Sequence, residues 1–400
     1  MCGQDVASGV VLSLPSTPCA NEFLKAPQPQ EMFPLDLQLC PDRQCGHLQL
    51  GGVVDRSVLF DDYVYASGTS PAFVAHFAGY ARELIRIAEL GRDSLVVDIG
   101  SNDGTLLEQL AGLGVNRIHG VEPAREISAA AVARGIPTTN AYFDRQVARK
   151  LREELGPAHV VTANNVFAHI DDLEQATLGV RDLLAPNGVF VFEVSYLLDV
   201  VEKGLFDTIY HEHLSYHTIR PLVGFFARLS MTLFDVQRVS THGGSIRVYV
   251  SADPRIVSSS VLGLIQQEVE GGLFRPETYS ALRRRISTQA SELGEIMASL
   301  QRRGAQLCGY GAPAKLTTMM YAFDMNSRDF HFIVDDSPLK RGRYTPGKHI
   351  PVVGSERLTA VSGQGFCAVV FAWNFYRSIT ARHGDWVGSW INPQVGTTTG

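Results

Sequence analysis

The segment Phe206–His217 concentrates side chains that can carry protons. Its twelve residues contain three histidines, two tyrosines and two acidic residues. A histidine near neutral pKa, steered by an adjacent carboxylate, suits the removal of a proton from a carbon beside a carbonyl group. Tyr210 is a candidate donor to the enolate oxygen that this step creates. The composition of the segment therefore favours acid–base chemistry.

Two other interpretations of this segment stay open. His211, His213 and His217 have a plausible spacing for imidazole ligands of a metal ion, although Glu212 would point away from them in an extended strand. Alternatively, the histidines are satisfied polar groups in a loop and have no chemical role.

A turn with the sequence GSNDG follows an apolar run that predicts a buried strand. Gly100 and Gly104 allow the backbone to approach a ligand closely. Asn102 and Asp103 crowd the turn with polar side chains, whereas the phosphates of a dinucleotide prefer bare glycines and a helix N-terminus. The turn therefore suits a cationic ligand without phosphate.

Two acidic residues accompany this turn. Asp98 lies near the end of the preceding strand, where a carboxylate can accept from an amine or bind through water. Glu122 closes the next strand about 20 residues on, where an acid can accept hydrogen bonds from both ribose hydroxyls. The turn and Gly120–Pro123 resemble the first two motifs of class I methyltransferases that use S-adenosylmethionine (SAM), so we predict a SAM site here.

Polar residues follow another predicted strand, Val160–Ala163. Strand ends at the carboxyl edge of such sheets face the ligand crevice. We therefore expect Asn164 or Asn165 to meet the cofactor and His169 to face its reactive end.

A second glycine turn supports a different function. Gly309–Ala314 reads G-x-G-x-x-A, and Asp335 and Asp336 follow a further strand roughly 20 residues on, as in a dinucleotide fingerprint. Pro313 removes a backbone N–H from the turn, which weakens a pyrophosphate cradle. The alternative functions are an NAD-dependent oxidoreductase and a SAM methyltransferase that acts on a different keto substrate. A non-catalytic SAM-binding module is a further possibility.

Four of the six cysteines lie within the first 50 residues. Cys40 and Cys45 enclose a short turn that suits tetrahedral zinc, and Cys2 supplies a third thiol. Cys19 or His47 is a candidate fourth ligand, although neither has a persuasive spacing. Buried free thiols are the alternative.

Short apolar runs alternate with helical patterns from about residue 70. We predict helices at Phe73–Leu90 and Ala124–Ala133 and strands at Leu95–Gly100, Ile118–Val121, Val160–Ala163 and Gly188–Val194. This alternation predicts an α/β fold with a parallel, doubly wound sheet. A helical connector at Ile256–Arg303 then leads to a second strand–turn–helix unit that begins at Ala305–Tyr310.

The composition limits the possible partners and locations. The 400 residues are 45% hydrophobic and 19% charged, which is typical of a globular protein of two or three domains. The net charge is −6 and no basic stripe is present, which argues against nucleic acid as a partner. The apolar runs are too short to span a bilayer, and no signal peptide precedes them, so we expect a cytoplasmic chain and no membrane partner.

The chain resembles the SAM-dependent sugar C-methyltransferases that act on nucleotide-linked ketosugars. The motifs that carry the resemblance run in family order from one end of the chain to the other. They are Pro18–Phe23, Tyr63–Ser67, the SAM turn, Asn164–His169, Tyr210–His213, His242–Ser245 and Gly309–Lys315. None is sufficient alone, but together they are specific.

The resemblance implies a class I SAM methyltransferase Rossmann-like sheet between two other units. The expected parts are a small N-terminal zinc-binding cap at 1–60, a methyltransferase domain at 61–240, a connector at 241–303 and a C-terminal Rossmann-like domain at 304–400 that helps to hold the sugar nucleotide. The family usually opens with two cysteine pairs, whereas only Cys2 precedes Gly3 here and the second pair is stretched to Cys40 and Cys45. Either the start lies upstream of Met1 or this chain has lost the metal.

The resemblance also implies the reaction and its residues. A base removes the proton α to the keto group of a nucleotide-linked, dTDP-type 4-keto-deoxysugar, and the enolate takes the methyl group of SAM, at C3, in deoxysugar and antibiotic biosynthesis. His213 matches the base, with Glu212 beside it and Tyr210 near the keto oxygen, and Tyr63 and His169 match further active-site positions. The expected sugar-nucleotide contacts are His242, Gly243, Tyr310, Lys315 and Arg341, with Lys315 as a counter-charge to the pyrophosphate. We expect the protein to be a monomer or a small homo-oligomer.

Overall fold

The computed structural model describes residues 1–7, 9–61, 63, 67–69, 71–394 and 398–399. Val64, Tyr65 and Ala66 of the family motif lie outside the described residues. In chain order the strands are β1 (Val10–Thr17), β2 (Phe33–Leu39), β3 (Leu48–Leu50), β4 (Leu95–Ile99), β5 (Arg117–Val121), β6 (Thr138–Thr139), β7 (Ala158–Asn164), β8 (Leu184–Ser195), β9 (Ser215–Tyr216), β10 (Thr232–Val239), β11 (Ser245–Ser251), β12 (Gln306–Tyr310), β13 (Ile333–Val334), β14 (Val352–Val353), β15 (Phe366–Val370), β16 (Ser389–Ile391) and β17 (Thr398–Thr399). The helices are α1 (Arg56–Phe60), α2 (Pro71–Ile87), α3 (Thr105–Gly112), α4 (Arg125–Ala133), α5 (Arg145–Leu155), α6 (Leu173–Leu183), α7 (Leu197–Lys203), α8 (Ile219–Arg228), α9 (Ser259–Glu270), α10 (Pro276–Arg302), α11 (Lys315–Ala322), α12 (Glu356–Ala360) and α13 (Tyr376–Arg382).

The N-terminal unit is a small antiparallel sheet with the order β1-β2-β3-β9. Every second residue of β2, from Leu35 to Leu39, is buried, which is the period-two pattern of a sheet with one covered face. The last strand, β9, comes from a distant part of the chain, and its Ser215 pairs with Gln49. Because β9 lies within the histidine-rich segment Phe206–His217, this pairing anchors that segment to the N-terminal unit.

The central sheet has seven strands in the order β6-β5-β4-β7-β8-β11-β10. Its first five strands are parallel, and β11 runs antiparallel to both of its neighbours. Numbered within the sheet, this is the order 3-2-1-4-5-7-6 with a reversed seventh strand. The predicted class I SAM methyltransferase sheet is thus present.

The central sheet extends past residue 240, where sequence analysis places the start of the connector. β11 (Ser245–Ser251) is buried along its whole length between β8 and β10. Periodicity cannot distinguish a strand inside a sheet from a connector segment, because only pairing with other strands defines it. The helical part of the predicted connector is α9 and α10, with Pro276 in the first turn of α10.

The C-terminal sheet has six strands in the order β14-β13-β12-β15-β16-β17. All of its pairs are parallel except β16 with β17, so it is a second Rossmann-like unit. The carboxyl ends of β4 and β7 and those of β12 and β15 border the same cavity, which Gly100, Asn164, Gly311 and Ala372 help to line. None of the helices in the described part of the chain is long and apolar enough to cross a membrane.

Candidate active site

The cavity between the three units has a volume of about 1780 Å³. A typical pocket for one small ligand has roughly 300–1,000 Å³, so this cavity has room for two ligands side by side. The glycine turn, the histidine-rich segment and the start of α11 all contribute to its wall. The tertiary structure therefore brings together the motifs that the sequence places 100 or more residues apart.

The glycine turn requires glycine at both of its ends. Gly100 has φ +64°, and a Cβ there would lie 2.3 Å from the Val166 side chain. Gly104 has φ +78°, and a Cβ would lie 2.9 Å from the Ile136 side chain. Left-handed backbone and close packing both exclude larger residues here. Gly100 lines the cavity, whereas Gly104 lies behind it and caps α3.

Glu122 holds the turn in place. Its Oε2 accepts a hydrogen bond of 2.9 Å from the Asn102 N–H, and its Oε1 accepts one of 2.9 Å from the Ala124 N–H. Burial raises the pKa of this carboxyl above its ordinary value. Glu122 and Asn102 both line the cavity, at the position expected for a ribose-binding acid and its neighbouring turn.

The polar side chains of the turn bind another part of the protein. Asn102 Oδ1 accepts from the Ser67 N–H at 2.8 Å, and Asp103 Oδ2 accepts from the Gly68 N–H at 2.9 Å. Asp103 is buried and lies outside the cavity wall. These two side chains hold the residues that precede α2 against the turn, which the sequence alone did not indicate.

Asp98 lies behind the cavity wall. It is 3% exposed and accepts hydrogen bonds from Thr162 Oγ1 at 2.6 Å and Asn164 Nδ2 at 3.4 Å. Burial raises the pKa of Asp98 to about 7, even though these bonds oppose the shift. Asn164 itself and Asn165 line the cavity, and Asn165 adopts φ +56° while its N–H bonds to the Glu193 carbonyl.

Three rings of the histidine-rich region meet at the cavity wall. The His213 ring centroid lies 4.1 Å from that of Tyr210 and 5.1 Å from that of His169. His169 in turn stacks on Phe60, at the end of α1, with a centroid distance of 5.7 Å. His169, Tyr210 and His213 therefore form one cluster, which Phe60 closes from the N-terminal side.

A backbone carbonyl sets the tautomer of His213. Its Nδ1 lies 2.6 Å from the Thr208 carbonyl oxygen, which can only accept, so Nδ1 carries the hydrogen. Nε2 is then the basic nitrogen. Burial lowers the pKa of His213 to about 4, and the Lys315 charge adds to this effect. The sequence-based expectation of a near-neutral pKa is thus wrong, because it could not include burial.

Glu212 does not steer His213, contrary to expectation. Its Oε1 accepts from Asn21 Nδ2 at 2.7 Å, and its Oε2 accepts from the Tyr63 hydroxyl at 3.4 Å. The carboxyl is 2% exposed, and burial raises its pKa to about 7. Tyr210–His213 is a turn in which the His213 N–H donates to the Tyr210 carbonyl at 2.9 Å, and from this turn Glu212 reaches the N-terminal unit while His213 reaches the cavity.

The other two histidines of the segment lie apart from His213. His211 Nε2 lies 3.3 Å from the Phe33 carbonyl oxygen, and His217 packs between the rings of Phe167 and His47. Among the described residues, the one group of three or more ligands close enough to share a metal ion is a set of cysteines. The histidine metal site is therefore not formed.

The predicted sugar-nucleotide residues have different placements. His242, Tyr310 and Lys315 line the cavity, whereas Gly243 and Arg341 lie outside its wall. Arg341 is exposed, and its guanidinium donates to the carbonyls of Asp335 and Asp336. Gly243 has φ +93° and packs against Trp373.

The acidic residue that accompanies the second glycine turn, Asp335, binds backbone N–H groups of the protein itself. Asp335 Oδ2 accepts from the Ala312 N–H at 2.6 Å, and Oδ1 accepts from the Ser337 N–H at 2.8 Å. Tyr310 directs its hydroxyl to the Asp336 carboxylate and lies 2.8 Å from His383 Nε2. Asp335 therefore stabilises this turn as Glu122 stabilises the first one.

The three predicted metal ligands are close together. The sulfur atoms of Cys2, Cys40 and Cys45 all lie within 4.8 Å of one another, and those of Cys2 and Cys40 are 3.5 Å apart. Three convergent thiols fit zinc, which thiolates bind as a structural ion. Cys19 packs elsewhere, against Val54 and Leu59, and His47 Nε2 lies beside Ser215. Among the described residues, neither belongs to the group of ligands that are close enough to share an ion.

Sequence reasoning missed a contact between the central and C-terminal units. The indole Nε1 of Trp373 donates to Asp207 Oδ2, although the two residues are 166 positions apart. Asp207 is fully buried beside the buried Lys315. No local pattern signals this pairing, because it depends on how the two Rossmann-like units pack.

Comparison with known proteins gives three consecutive family matches. They are "Putative zinc binding domain" for residues 1–60, "Methyltransferase domain" for residues 74–229 and "C-methyltransferase C-terminal domain" for residues 240–393. The C-methyltransferase NovU of Streptomyces niveus is 31% identical over 380 residues, which cover 94% of this chain and 89% of NovU. The chain belongs to the C-methyltransferase family. The predicted enzyme class, a SAM-dependent C-methyltransferase, is thereby confirmed.

Two solved structures that are similar to this C-methyltransferase each cover less than half of its chain. A SAM-dependent methyltransferase from Clostridium acetobutylicum has a TM-score of 0.35 and 14% identity, covering 46% of this chain and 91% of its own. The magnesium protoporphyrin IX methyltransferase ChlM from Synechocystis has a TM-score of 0.34 and 15% identity, covering 44% and 82%. The C-terminal unit, for which an NAD-dependent function was the alternative, matches a C-methyltransferase domain instead.

Proposed function

We propose that this C-methyltransferase acts on a dTDP-linked 4-keto-deoxysugar and methylates C3, the carbon beside the keto group. The family resemblance supports this substrate class. The volume of about 1780 Å³ also supports it, because a methyl donor and a sugar nucleotide must be held together. The cavity wall includes both the glycine turn and residues of the C-terminal unit, so each ligand has a separate set of contacts.

The observation that carries the proposal is the tautomer of His213. With its Nδ1 hydrogen given to the Thr208 carbonyl, the basic Nε2 is left for the substrate in the cavity that Gly100 also lines. A neutral imidazole is a suitable base for the proton α to a ketone, and removal of this proton makes the carbon a nucleophile. SAM, when bound at the glycine turn, supplies the methyl group.

The neighbouring groups have complementary roles in this proposal. Tyr210, whose ring lies 4.1 Å from that of His213, donates to the keto oxygen as the enolate forms. Glu212 orients Tyr63 through their hydrogen bond, and His169 packs the base from the other side. The residues that contact SAM in this proposal are Gly100, Asn102, Glu122, Asn164 and Asn165. Asp98, Asp103 and Gly104 support these residues from behind the cavity wall.

On the substrate side, we assign His242 and Tyr310 to the sugar nucleotide because both line the cavity. Gly243 does not line the cavity and affects this part of the wall only through the preceding residue, His242. Arg341 has its guanidinium bound to backbone carbonyls, so a contact with the nucleotide would require it to leave them.

Mass spectrometry tests the proposal directly. The protein is mixed with SAM and a panel of ketosugar nucleotides, and we expect one product heavier by a methyl group. In heavy water without SAM, the same substrate should exchange its C3 hydrogen, and His213→Asn should abolish this exchange. His331→Asn, the same change at an exposed position outside the cavity, is the matched control. If a keto substrate that carries no nucleotide were methylated faster than every ketosugar nucleotide in the panel, this would contradict the proposed substrate class.

A further inference from the structure

A buried lysine at the cavity wall has unused hydrogen-bonding capacity. Lys315 begins α11, is 8% exposed and lines the cavity. Its Nζ donates to the His242 carbonyl at 3.4 Å and lies 4.5 Å from the centroid of the Trp373 ring. An ammonium group has three donors, and the described residues offer this one acceptor. The remaining donors are available to a ligand.

A buried carboxylate accompanies this lysine. Asp207 is fully buried, its Oδ2 accepts from Trp373 Nε1, and its Oδ1 has no hydrogen-bond partner among the described residues. An unpartnered oxygen on a buried carboxylate is costly, and the opposite charge of Lys315 offsets part of this cost. Trp373 touches both members of the pair, so it fixes the carboxylate and the ammonium together.

The pair is tied to the catalytic base. Asp207 directly precedes Thr208, whose carbonyl holds the Nδ1 hydrogen of His213, and both belong to one 3-10 turn, Phe206–Thr208. The Lys315 charge acts on the imidazoles of His213 and His242. The ammonium therefore belongs to the part of the cavity where the proton is removed.

We propose that Lys315 is a catalytic residue that stabilises the enolate, and that Asp207 and Trp373 are positioning residues that hold its ammonium beside His213. This inference rests on the proposed function. When the carbon–hydrogen bond breaks, the proton moves to His213 Nε2 and the electron pair moves to the keto oxygen. Lys315 donates to this oxygen, as does Tyr210. As the carbon–carbon bond forms, the bond from methyl carbon to sulfur breaks, its electrons stay on sulfur and the carbonyl returns.

This role differs from the pyrophosphate contact that the sequence suggests for Lys315. A pyrophosphate carries two negative charges, whereas Lys315 carries one positive charge, which the nearby Asp207 charge stabilises. Lys340 and Arg382 also line the cavity on the C-terminal unit. Lys340 Nζ donates to the Ala312 carbonyl and Arg382 pairs with Asp336, and both are alternative cations for the phosphates. An ammonium paired with one carboxylate suits the single charge of an enolate.

Lys315→Met separates the two roles. We expect C3 exchange in heavy water at saturating ketosugar nucleotide to fall by about 10²–10³-fold, the usual loss for one charge-stabilising donor, while the affinity for dTDP by calorimetry changes less than about twofold. Lys150→Met, on the exposed face of α5, is the control. If dTDP affinity falls tenfold, or if exchange is unchanged, the inference is overturned. Absence of exchange in the wild type on every ketosugar would instead overturn the proposed function and this inference with it.

The positioning residues have a distinct signature. Asp207→Asn and Trp373→Phe should lower exchange by about tenfold with little change in KM. The Asp207 charge raises the pKa of Lys315, against the lowering by burial. Asp207→Asn should therefore move the alkaline loss of activity to lower pH, whereas a purely structural role would lower the melting temperature without moving this limb. The same alkaline limb in the variant and the wild type would overturn the assignment of Asp207.

Discussion

The acid limb of the reaction tests the environment of His213. The free enzyme's pKa governs kcat/KM, and burial lowers the pKa of His213 to about 4. With that pKa the fraction of neutral imidazole is nearly complete at pH 7 and still about 0.9 at pH 5, so the rate should change by a factor of about 1.1. An ordinary histidine of pKa about 6.5 would lose about 25-fold over the same range.

The assay is deuterium exchange at subsaturating substrate between pH 5 and pH 7, with circular dichroism to verify folding at each pH. Glu212→Gln serves as a second background, because the Glu212 carboxyl has a pKa of about 7 and titrates in the same range. A flat profile below pH 7 in this background supports a base that stays neutral over this range. A 25-fold loss by pH 5 in both proteins would falsify the geometry in which Thr208 and the cavity wall keep His213 neutral.

Three further predictions concern the surroundings of the site. Because the pKa of Glu212 is raised in the folded protein, its favourable contribution to stability is complete below the unfolded pKa near 4.5 and is lost as pH rises through about 7. Between pH 5 and pH 8, the free energy of unfolding of Glu212→Gln, measured in urea, should therefore rise by about 2 kcal/mol relative to that of the wild type. A difference that does not depend on pH would contradict this. Gly100→Ala would place a Cβ 2.3 Å from the Val166 side chain at a residue with φ +64°. The affinity for SAM, measured by calorimetry, should therefore fall more than about tenfold, and the free energy of unfolding should fall by about 1–3 kcal/mol. Unchanged affinity would be inconsistent with this turn as the SAM site. Cys40→Ser should remove bound zinc, as measured by elemental analysis. Cys308→Ser changes a buried thiol outside the cluster and should retain the zinc. Equal zinc contents in the two variants would refute the thiol site.

Local patterns predicted the parts of the site that depend on the backbone. The apolar run before Gly100 formed β4, and Glu122 ended β5 at the expected distance. These features follow from periodicity and from the conformational freedom of glycine, which act over a few residues. The strand–turn–helix order therefore located this turn without knowledge of the rest of the fold.

The directions of side chains could not be predicted in this way. Asn102 and Asp103 bind Ser67 and Gly68, and Asp98 lies inside the sheet, although all three acidic or amide groups were expected at the ligand. A polar side chain near a ligand edge can satisfy its hydrogen bonds with either the ligand or the protein. Which it does depends on the segments that pack nearby.

The sequence by itself determined the fold class, the order of the three units and the residue types available for proton transfer, because each of these depends on short-range pattern or on composition. Only the tertiary structure showed that, of the three histidines in the segment, His213 is the one that lines the cavity. His213 is oriented by Thr208 within its own segment, but its low pKa comes from burial, which requires the surrounding units. Trp373 and Asp207 meet for the same reason: contacts between distant segments arise from packing, and no local pattern encodes them.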